Sequence, residues 1–261
     1  MAITLRKGDK GDNVKALQKA LGVNADGDFG PKTEEAVKAF QKSKGLAVDG
    51  IVGAQTLKAL GLSLPEQQSN GLNIVSAPLT RHITPKSRVP KYIAIHYTAG
   101  TTSAKGAAMA TRNGWQNGNR DASADFVVDD ETIVQASPDL NKYVCWSVGD
   151  NGGGKYIKNT NSISIEICSN LKKGYSAKYP NHDGWYFTEK ELENAAKLTK
   201  YLMNKFNIPL ENVVRHFDVT KKLCPGIVGW NDGQILNQNT GASMGVKNNS
   251  EKWLNFKARL K

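Results

Sequence analysis

Two segments of the chain alternate between apolar and polar positions with the two-residue period of a β-strand. In residues 91–100, two isoleucines share one face, and His96 lies on the opposite face just before a glycine-containing loop. In residues 162–168, three isoleucines can bury one face and leave Glu166 on the other. Because a carboxylate inside a buried strand is costly unless it has a partner or a task, Glu166 is a candidate general base.

The pattern also predicts a hairpin, a long helix and a further short strand. Residues 125–135 are typical of a hairpin with an acidic turn, and residues 188–206 of an amphipathic helix that opens with a capping box. Residues 213–214 form a short apolar run that leads into His216. Because strands and helices interleave, we predict an α/β domain with a central mixed sheet flanked by helices.

The N-terminal part of the chain contains an internal repeat. Residues 26–36 and 49–59 share the pattern D-G-x-x-G-x-x-T-x-x-A at an offset of 23 residues. The glycines permit tight turns, and a helical pattern follows in both copies. A further amphipathic helix over residues 12–21 stops at Gly22. These features predict a small all-α domain of three helices within residues 1–62.

The remaining segments set the predicted domain boundaries. Residues 63–77 are polar, rich in turn residues and nearly uncharged, as in a linker, so the α/β domain covers residues 78–235. Residues 236–261 are predicted to form a loop over 238–249 and then a helix that Ser250 caps. The apolar side of that helix consists of Trp253, Leu254, Phe256 and Leu260. We expect this side to dock onto the α/β domain, with direct contact to a cell wall or a membrane as the alternative.

The formal charge of the chain is +11, made up of +3 in residues 1–62, −1 in 63–77, +5 in 78–235 and +4 in the remainder. Because the excess is spread over every folded region, it favours attraction to a polyanionic surface over a single base-reading helix. Bacterial cell wall and nucleic acid both fit this charge, which alone does not choose between them.

Hydropathy and cysteine content narrow the setting. No stretch approaches the roughly 18 consecutive apolar residues of a membrane span, so no stable membrane insertion is expected. The N-terminus lacks the longer apolar region of a secretory signal, which predicts a protein made and initially kept in the cytoplasm. The three cysteines form no even framework, so reduced thiols are expected, with Cys145 and Cys168 as small apolar residues.

A second histidine and a cysteine complete a candidate metal site. His216 and Cys224 are eight residues apart, and His96 ends an apolar run far upstream. A structural zinc site normally has four protein ligands, whereas a catalytic one has three and leaves a position for water. Three such residues without a fourth therefore predict a zinc hydrolase. The other two histidines, His82 and His182, are expected to be surface or structural residues.

The N-terminal domain resembles the peptidoglycan-binding domain found on many cell-wall hydrolases. Many fixed spacings agree at once, although most of these positions are expected to pack the helices rather than bind a ligand. The residues that carry the resemblance are Gly8, Gly11, Val14, Leu17, Gln18, Leu21, Phe29, Gly30, Thr33, Ala36, Val37, Phe40, Gln41, Gly45, Leu46, Val48, Asp49 and Gly50.

Residues 78–230 resemble the zinc-dependent N-acetylmuramoyl-L-alanine amidases, a family that includes phage endolysins and animal peptidoglycan recognition proteins. Several separate motifs occur in the family's order. They are Ile95–Thr98, Ser123–Ala124, Trp146 with Val148–Asp150, Asn161–Glu166, Arg215–His216, and Lys222 with Cys224–Gly226.

This resemblance implies a role for each candidate residue. The family's zinc ligands fall on His96, His216 and Cys224, its catalytic glutamate falls on Glu166, and the lysine that faces the reacting carbonyl falls on Lys222. The implied reaction is hydrolysis of the amide bond between N-acetylmuramic acid and L-alanine. Zn²⁺ is the implied cofactor and bacterial peptidoglycan the implied partner.

Two positions depart from the family pattern. Ser147 stands where many relatives have a histidine, and Asp125 lies near a position that is often aromatic or histidine, so catalytic help from these positions is in doubt. Non-catalytic recognition proteins typically lose the cysteine ligand, whereas Cys224 is present, which favours an active enzyme.

Together these observations predict a monomeric phage or prophage endolysin that acts on the cell wall after release. One alternative is a cytosolic amidase that recycles anhydro-muropeptides, although a soluble substrate needs no wall-binding domain. Another is a zinc-containing recognition protein without turnover. A nucleic-acid-binding protein is disfavoured, because the sequence offers charge but no recognised reading element.

Overall fold

The computed structural model describes residues 5–62, 72–101, 105–118, 121–149 and 156–261. The chain divides into two compact units: the described residues up to 62 belong to the first, and nearly all of those from 72 onward belong to the second. The first unit contains the helices α1 (Asp12–Leu21), α2 (Pro31–Ser43) and α3 (Ala54–Leu60).

The three helices of the first unit surround one small apolar core. Its fully or nearly fully buried members are Leu5, Val14, Leu17, Phe29, Val37 and Val52. An antiparallel bridge between Leu5 and Val52 closes the unit. The predicted all-α N-terminal domain is therefore confirmed.

The 23-residue repeat corresponds to a repeated network of hydrogen bonds. In the first copy, the side-chain nitrogen of Gln18 lies 2.8 Å from Asp26 Oδ1 and 3.0 Å from Thr33 Oγ1. The side-chain oxygen of Gln18 accepts a 2.8 Å hydrogen bond from the backbone N–H of Gly27. Gly27 has a φ of 81°, a conformation that favours glycine.

The second copy repeats this arrangement around Gln41. Its side-chain nitrogen lies 2.8 Å from Asp49 Oδ1 and 3.4 Å from Thr56 Oγ1, and its oxygen accepts a 2.9 Å hydrogen bond from Gly50 N–H. Both glutamines are only 1 % exposed, so each copy of the turn is held by a buried amide. The repeat thus includes a glutamine eight residues before each aspartate, which the D-G-x-x-G-x-x-T pattern leaves out.

Among the described residues, the second unit contains twelve strands, two of them only two residues long, and four helices, together with one 3₁₀ turn. In chain order these are β1 (Ile74–Ser76), β2 (Ile83–Pro85), β3 (Tyr92–Tyr97), α4 (Ala107–Asn117), β4 (Phe126–Val128), β5 (Ile133–Gln135), β6 (Tyr143–Cys145), β7 (Ser162–Ile167), β8 (Asn170–Leu171), β9 (Trp185–Tyr186), α5 (Glu189–Phe206), the 3₁₀ turn Leu210–Asn212, β10 (Val213–Arg215), α6 (His216–Thr220), β11 (Gln234–Leu236), β12 (Ser243–Lys247) and α7 (Glu251–Ala258).

A six-stranded sheet in the order β1-β5-β4-β7-β3-β10 forms the centre of this unit. Only the β4–β5 pair, the predicted hairpin, is antiparallel within it. The two predicted alternating strands, β3 and β7, are neighbours in parallel near the middle. Glu191 and Thr188 form the predicted capping box at the start of α5. The predicted α/β class with a mixed sheet and flanking helices is confirmed.

The predicted linker over 63–77 extends too far along the chain. Its first part, 63–71, lies outside the described residues, but Ile74–Ser76 forms the edge strand β1 in parallel register with β5. Short edge strands need little apolar content, so polar neighbours masked this one. Within the described residues, no helix is long and apolar enough to cross a membrane.

The C-terminal predictions also need two corrections. The predicted loop over 238–249 contains β12, which pairs with β11 as an exposed two-stranded hairpin. Helix α7 is present, and Trp253, Phe256 and Leu260 are buried as expected, but Leu254 is 62 % exposed. Ser250 stands at the start of α7, but its hydroxyl hydrogen-bonds with Arg215 and Asp232 rather than capping the helix.

Candidate active site

The first part of the candidate site comes from the two central strands. His96 on β3 and Glu166 on β7 are direct register partners, so their side chains leave the same face of the sheet. Glu166 Oε1 lies 3.9 Å from His96 Nδ1. His96 is buried, whereas the Glu166 side chain remains 17 % exposed.

The second part comes from the neighbouring strand β10 and the segment after it. Strand β10 pairs in parallel with β3 and delivers His216 as the first residue of α6. The rings of His96 and His216 are 4.6 Å apart between centroids. Cys224 follows α6, and its backbone oxygen accepts a 2.9 Å hydrogen bond from Phe217 N–H, which holds the loop against the helix.

These three residues have the spacing and chemistry of a zinc site. One ligand atom from each of His96, His216 and Cys224 lies within 4.8 Å of the others. Cys224 Sγ lies 3.8 Å from His96 Nδ1. Two ligands of a tetrahedral zinc with ordinary Zn–N and Zn–S bonds are about 3.6 Å apart, so this spacing fits the ion. Imidazole and thiolate ligands also favour zinc over the hard cations.

The electrostatics of the site favour neutral imidazoles. Burial, followed by the charges of His216 and Lys222, holds the pKa of His96 well below its ordinary value. Burial and then the charge of Lys222 lower the pKa of His216 to about 4. Both rings are therefore unprotonated at neutral pH, the form that binds a metal ion.

A cleft of about 370 Å³ connects these groups with solvent. All five residues that the sequence singled out line it. The lining residues are His96, Tyr97, Thr98, Ala99, Ala122, Ser123, Trp146, Ser147, Glu166, Pro180, His216, Lys222, Leu223 and Cys224. Lys222 is exposed, so its ammonium group can move to meet a bound ligand.

The two positions that depart from the family pattern have different settings. Ser147 lines the cleft, whereas Asp125 lies in the interior, where its side chain pairs with the buried Arg88. Asp125 also accepts a 2.9 Å hydrogen bond from the backbone N–H of Ser164. Asp125 thus ties β7 to the segment before β3 and belongs to the fold rather than to the cleft.

One residue that shapes the cleft was not predicted from the sequence. Asn159 Oδ1 accepts backbone hydrogen bonds from Ser147, Val148 and Gly149 at 3.1, 2.8 and 3.1 Å. These bonds fix the loop that follows Trp146, which forms one wall of the cleft. An asparagine in a polar loop gives no sequence signal for such a role. Asp150, the last residue of that predicted motif, lies outside the described residues.

The remaining polar candidates are structural. Asp218 accepts a 2.8 Å hydrogen bond from Arg215 N–H and caps α6. His82 and His182 are both buried and hydrogen-bonded to backbone oxygens, so neither is a surface residue.

The two cysteines outside the site are also structural. Cys145 and Cys168 are buried free thiols, and burial raises the pKa of each above its ordinary value. Both therefore have the small apolar role that was predicted for them.

Two family models match the chain. Residues 86–227, more than half of the chain, match the model described as N-acetylmuramoyl-L-alanine amidase. Residues 10–60 match the model described as a putative peptidoglycan binding domain. Both families are those that the sequence motifs resemble, so that prediction is confirmed.

Curated relatives and solved structures agree with this. The chain is 39 % identical over 137 residues to the N-acetylmuramoyl-L-alanine amidase CwlH of Bacillus subtilis (strain 168), a match that covers 52 % of this chain and 47 % of CwlH. It is 38 % identical over 137 residues to the N-acetylmuramoyl-L-alanine amidase XlyA of the same organism, which covers 52 % of this chain and 39 % of XlyA. The chain thus spans less than half the length of either relative.

The solved catalytic domain of XlyA has a TM-score of 0.51 to this chain at 30 % identity, and the match covers 73 % of this chain and all of that domain. A mutant endolysin from Bacillus subtilis has the same TM-score and identity, with coverage of 73 % and 99 %. The family model, the relatives and the fold all agree, and this chain belongs to the N-acetylmuramoyl-L-alanine amidase family.

Proposed function

We propose that this chain hydrolyses the amide bond between N-acetylmuramic acid and L-alanine in bacterial peptidoglycan. The observation that carries the proposal is the convergence of a three-residue metal-ligand set and the Glu166 carboxylate in one cleft. The amidase names of the relatives support the same reaction.

His96, His216 and Cys224 would hold the zinc ion. Zinc with three protein ligands supplies a water nucleophile that is deprotonated near a pH of about 7. The neutral state of the two imidazoles favours this binding, because protons do not compete for the ring nitrogens at neutral pH.

Glu166 would act as the general base and then as the general acid. Its carboxylate is attached to a rigid central strand, is partly exposed to the cleft and lies beside a ligand histidine. It can accept the proton of the attacking water and return that proton to the nitrogen of the leaving L-alanine. A single carboxylate therefore serves both halves of the hydrolysis.

Lys222 would stabilise the negative charge that develops on the carbonyl oxygen. It lies two residues before Cys224 and lines the same cleft. Removal of one donor of this kind costs about 3 kcal/mol of transition-state stabilisation in other enzymes.

The N-terminal domain, residues 1–62, would hold the enzyme on its insoluble substrate. Tethering raises the local concentration of the catalytic domain at the wall without any change in the active site. A phage or prophage endolysin that is made in the cytoplasm and reaches the wall after release fits this arrangement, and the similarity to a Bacillus subtilis endolysin supports it. We expect peptidoglycan as the partner and a monomeric enzyme.

Digestion of purified sacculi tests the proposal. The protein is incubated with sacculi, with and without a zinc chelator, and the new chain ends are identified by mass spectrometry. Chelator-sensitive release of free L-alanine amino termini without new reducing sugars supports the amidase. Binding to sacculi without released ends, in zinc-replete protein, would instead indicate a recognition protein without turnover. Activity on soluble anhydro-muropeptides alone would indicate a recycling amidase.

A further inference from the structure

The segment after the loop that carries Cys224 contributes two of the three asparagines in a buried network. Asn231 and Asn248 belong to the segment that follows residue 227, where the amidase family model ends, and Asn181 lies in the loop beside Pro180 of the cleft. Asn181 and Asn231 are fully buried, and Asn248 is 5 % exposed. Asn181 Oδ1 accepts hydrogen bonds from Asn231 Nδ2 at 2.8 Å and from Asn248 Nδ2 at 3.1 Å.

This network forms hydrogen bonds with the backbone directly after Cys224. Asn231 Nδ2 donates a 2.8 Å hydrogen bond to the backbone oxygen of Pro225. The backbone N–H of Asn181 donates a 2.6 Å hydrogen bond to the backbone oxygen of Gly226. Asn231 Oδ1 meanwhile accepts a 2.9 Å bond from Gly233 N–H. Asn231 therefore uses both of its side-chain donors, one on the backbone after Cys224 and one on Asn181.

A second set of hydrogen bonds contacts Arg215, the residue directly before His216. Arg215 Nη1 donates a 2.5 Å hydrogen bond to Ser250 Oγ and a 3.2 Å bond to the backbone oxygen of Trp230. Ser250 Oγ in turn donates a 2.5 Å bond to Asp232 Oδ1, and Asp232 Oδ2 lies 3.3 Å from Arg215 Nη2. Arg215 is 6 % exposed, whereas the Asp232 side chain is 46 % exposed, so the network runs from the interior to the surface.

Apolar packing holds the C-terminal segment in place beneath these polar contacts. The Trp230 ring lies 4.9 Å from Phe187, 5.9 Å from Trp253 and 5.4 Å from Phe256 between ring centroids. Trp253 and Phe256 belong to α7 and are buried. The contact with Phe187 joins this segment to a part of the chain that carries none of the three candidate ligands.

We infer that the segment 228–261 positions two of the three metal ligands, His216 and Cys224, and that Asn231 and Ser250 are positioning residues for the metal site. The contacts reach the residues next to each ligand, Arg215 and Pro225, and they come from one anchored segment. Fixing both ligands in this way lowers the conformational entropy that is lost when a metal ion binds. The inference rests on the zinc site of the proposed function.

Zinc affinity of the full chain tests this role. Asn231→Asp keeps the size and the acceptor oxygen but removes both donated hydrogen bonds, and Ser250→Ala removes the hydroxyl between Arg215 and Asp232. Zinc dissociation constants come from competition with a chromogenic chelator. The thiolate-to-cobalt absorption of the cobalt-loaded protein reports the geometry at Cys224, and the melting temperature of the metal-free protein reports general stability.

Asn170→Asp provides the matched control. Asn170 is also a buried asparagine, its Nδ2 lies 3.2 and 3.1 Å from the two Glu191 oxygens, and it is not one of the cleft-lining residues. We expect Asn231→Asp and Ser250→Ala to weaken zinc binding about 10-fold, the lower end for groups that support metal ligands. We also expect them to alter the cobalt absorption, while Asn170→Asp keeps wild-type affinity despite a lower melting temperature.

Three results would refute the positioning role, and they distinguish its failure from a failure of the proposed function. Wild-type zinc affinity and cobalt absorption in both variants would refute the inference and leave the proposed function intact. An equal loss of affinity in Asn170→Asp would refute it as well, because general destabilisation would then explain the effect. A wild-type chain that binds no zinc would refute the proposed function, and the inference with it. If Asn231→Asp does not fold, Ser250→Ala decides the question alone.

Discussion

Glu166 Oε1 lies 3.9 Å from His96 Nδ1, and the two residues are register partners on neighbouring parallel strands. Because both strands are buried in the middle of the sheet, a shift of one residue would turn the isoleucines of one strand out of the core. The apolar pattern of β3 and β7 therefore excludes a one-residue shift, which would separate the candidate base from the first metal ligand.

Substitution of Glu166 separates the base from the metal site. Glu166→Gln keeps the shape of the side chain but cannot accept a proton, so we expect the rate of amide cleavage to fall about 10²- to 10⁴-fold. Zinc content should stay at the wild-type value, because Glu166 is not one of the three ligand residues. Released L-alanine amino termini and zinc per chain are measured on the same preparation. Wild-type wall lysis by this variant would remove Glu166 from the mechanism.

Substitution of individual cysteines tests whether Cys224 is a zinc ligand and the other buried cysteines are not. We expect Cys224→Ser to weaken zinc binding by more than the about 10- to 100-fold that is typical of changes around a metal ligand. Cys168→Ser is the control, because Cys168 is equally buried but lies outside the cleft-lining set. Zinc affinity is measured by chelator competition. Equal zinc affinity in the two variants would show that Cys224 is not a ligand.

The candidate active-site residues could be predicted from the sequence, whereas the residues that position them could not. Strand alternation placed His96 and Glu166 on the faces opposite the isoleucines, and the motif around His216 and Cys224 gave the remaining ligands, because period and residue type are local properties. Their meeting depends on the register of β3, β7 and β10, which the chain order alone does not specify. The five residues line one cleft in the structure, while their chemical roles remain predictions.

The positioning residues Asn231 and Ser250 were not predicted, because each contacts a residue that is distant from it in the sequence. Asn231 contacts Asn181 across 50 residues, and Ser250 contacts Arg215 across 35. A serine before a helix is also an ordinary cap, so Ser250 was assigned the local role that its sequence position favours. Nothing in the local pattern distinguishes that role from the long-range contact with Arg215.

The duplicated network of the N-terminal domain predicts a duplicated effect. Gln18→Ala and Gln41→Ala each leave buried partners without the glutamine amide, so we expect each to destabilise the domain by about 1–3 kcal/mol. Gln55→Ala is the control, because Gln55 is an exposed glutamine on α3. Urea unfolding of the full chain is followed through the amide NMR signals of Gly27 and Gly50, the donors to the two glutamines. An effect in only one copy would contradict the equivalence of the two networks.

The same network makes the N-terminal domain sensitive to acid. The hydrogen bond from the Asp28 backbone, followed by that from Gln18, lowers the pKa of Asp26 below its ordinary value of 3.8. The Ile51 backbone and then Gln41 lower the pKa of Asp49 in the same way. A carboxylate whose pKa is lower in the folded state stabilises that state when it is ionised. This stabilisation is complete above the unfolded-state pKa and is lost as the pH falls through the folded-state pKa.

We therefore expect the double variant Asp26→Asn and Asp49→Asn to lose less stability than the wild type between pH of about 7 and 3. The measurement is again urea unfolding followed at Gly27 and Gly50. Asp9 gives a control of opposite sign, because burial raises its pKa, so ionised Asp9 opposes folding at neutral pH. Protonation of Asp9 on acidification favours the folded state, and Asp9→Asn removes this contribution. The loss of unfolding free energy between the two pH values should therefore be larger in Asp9→Asn than in the wild type. If all three proteins lost stability equally, the acid sensitivity of this domain would have to arise from groups outside the two turns.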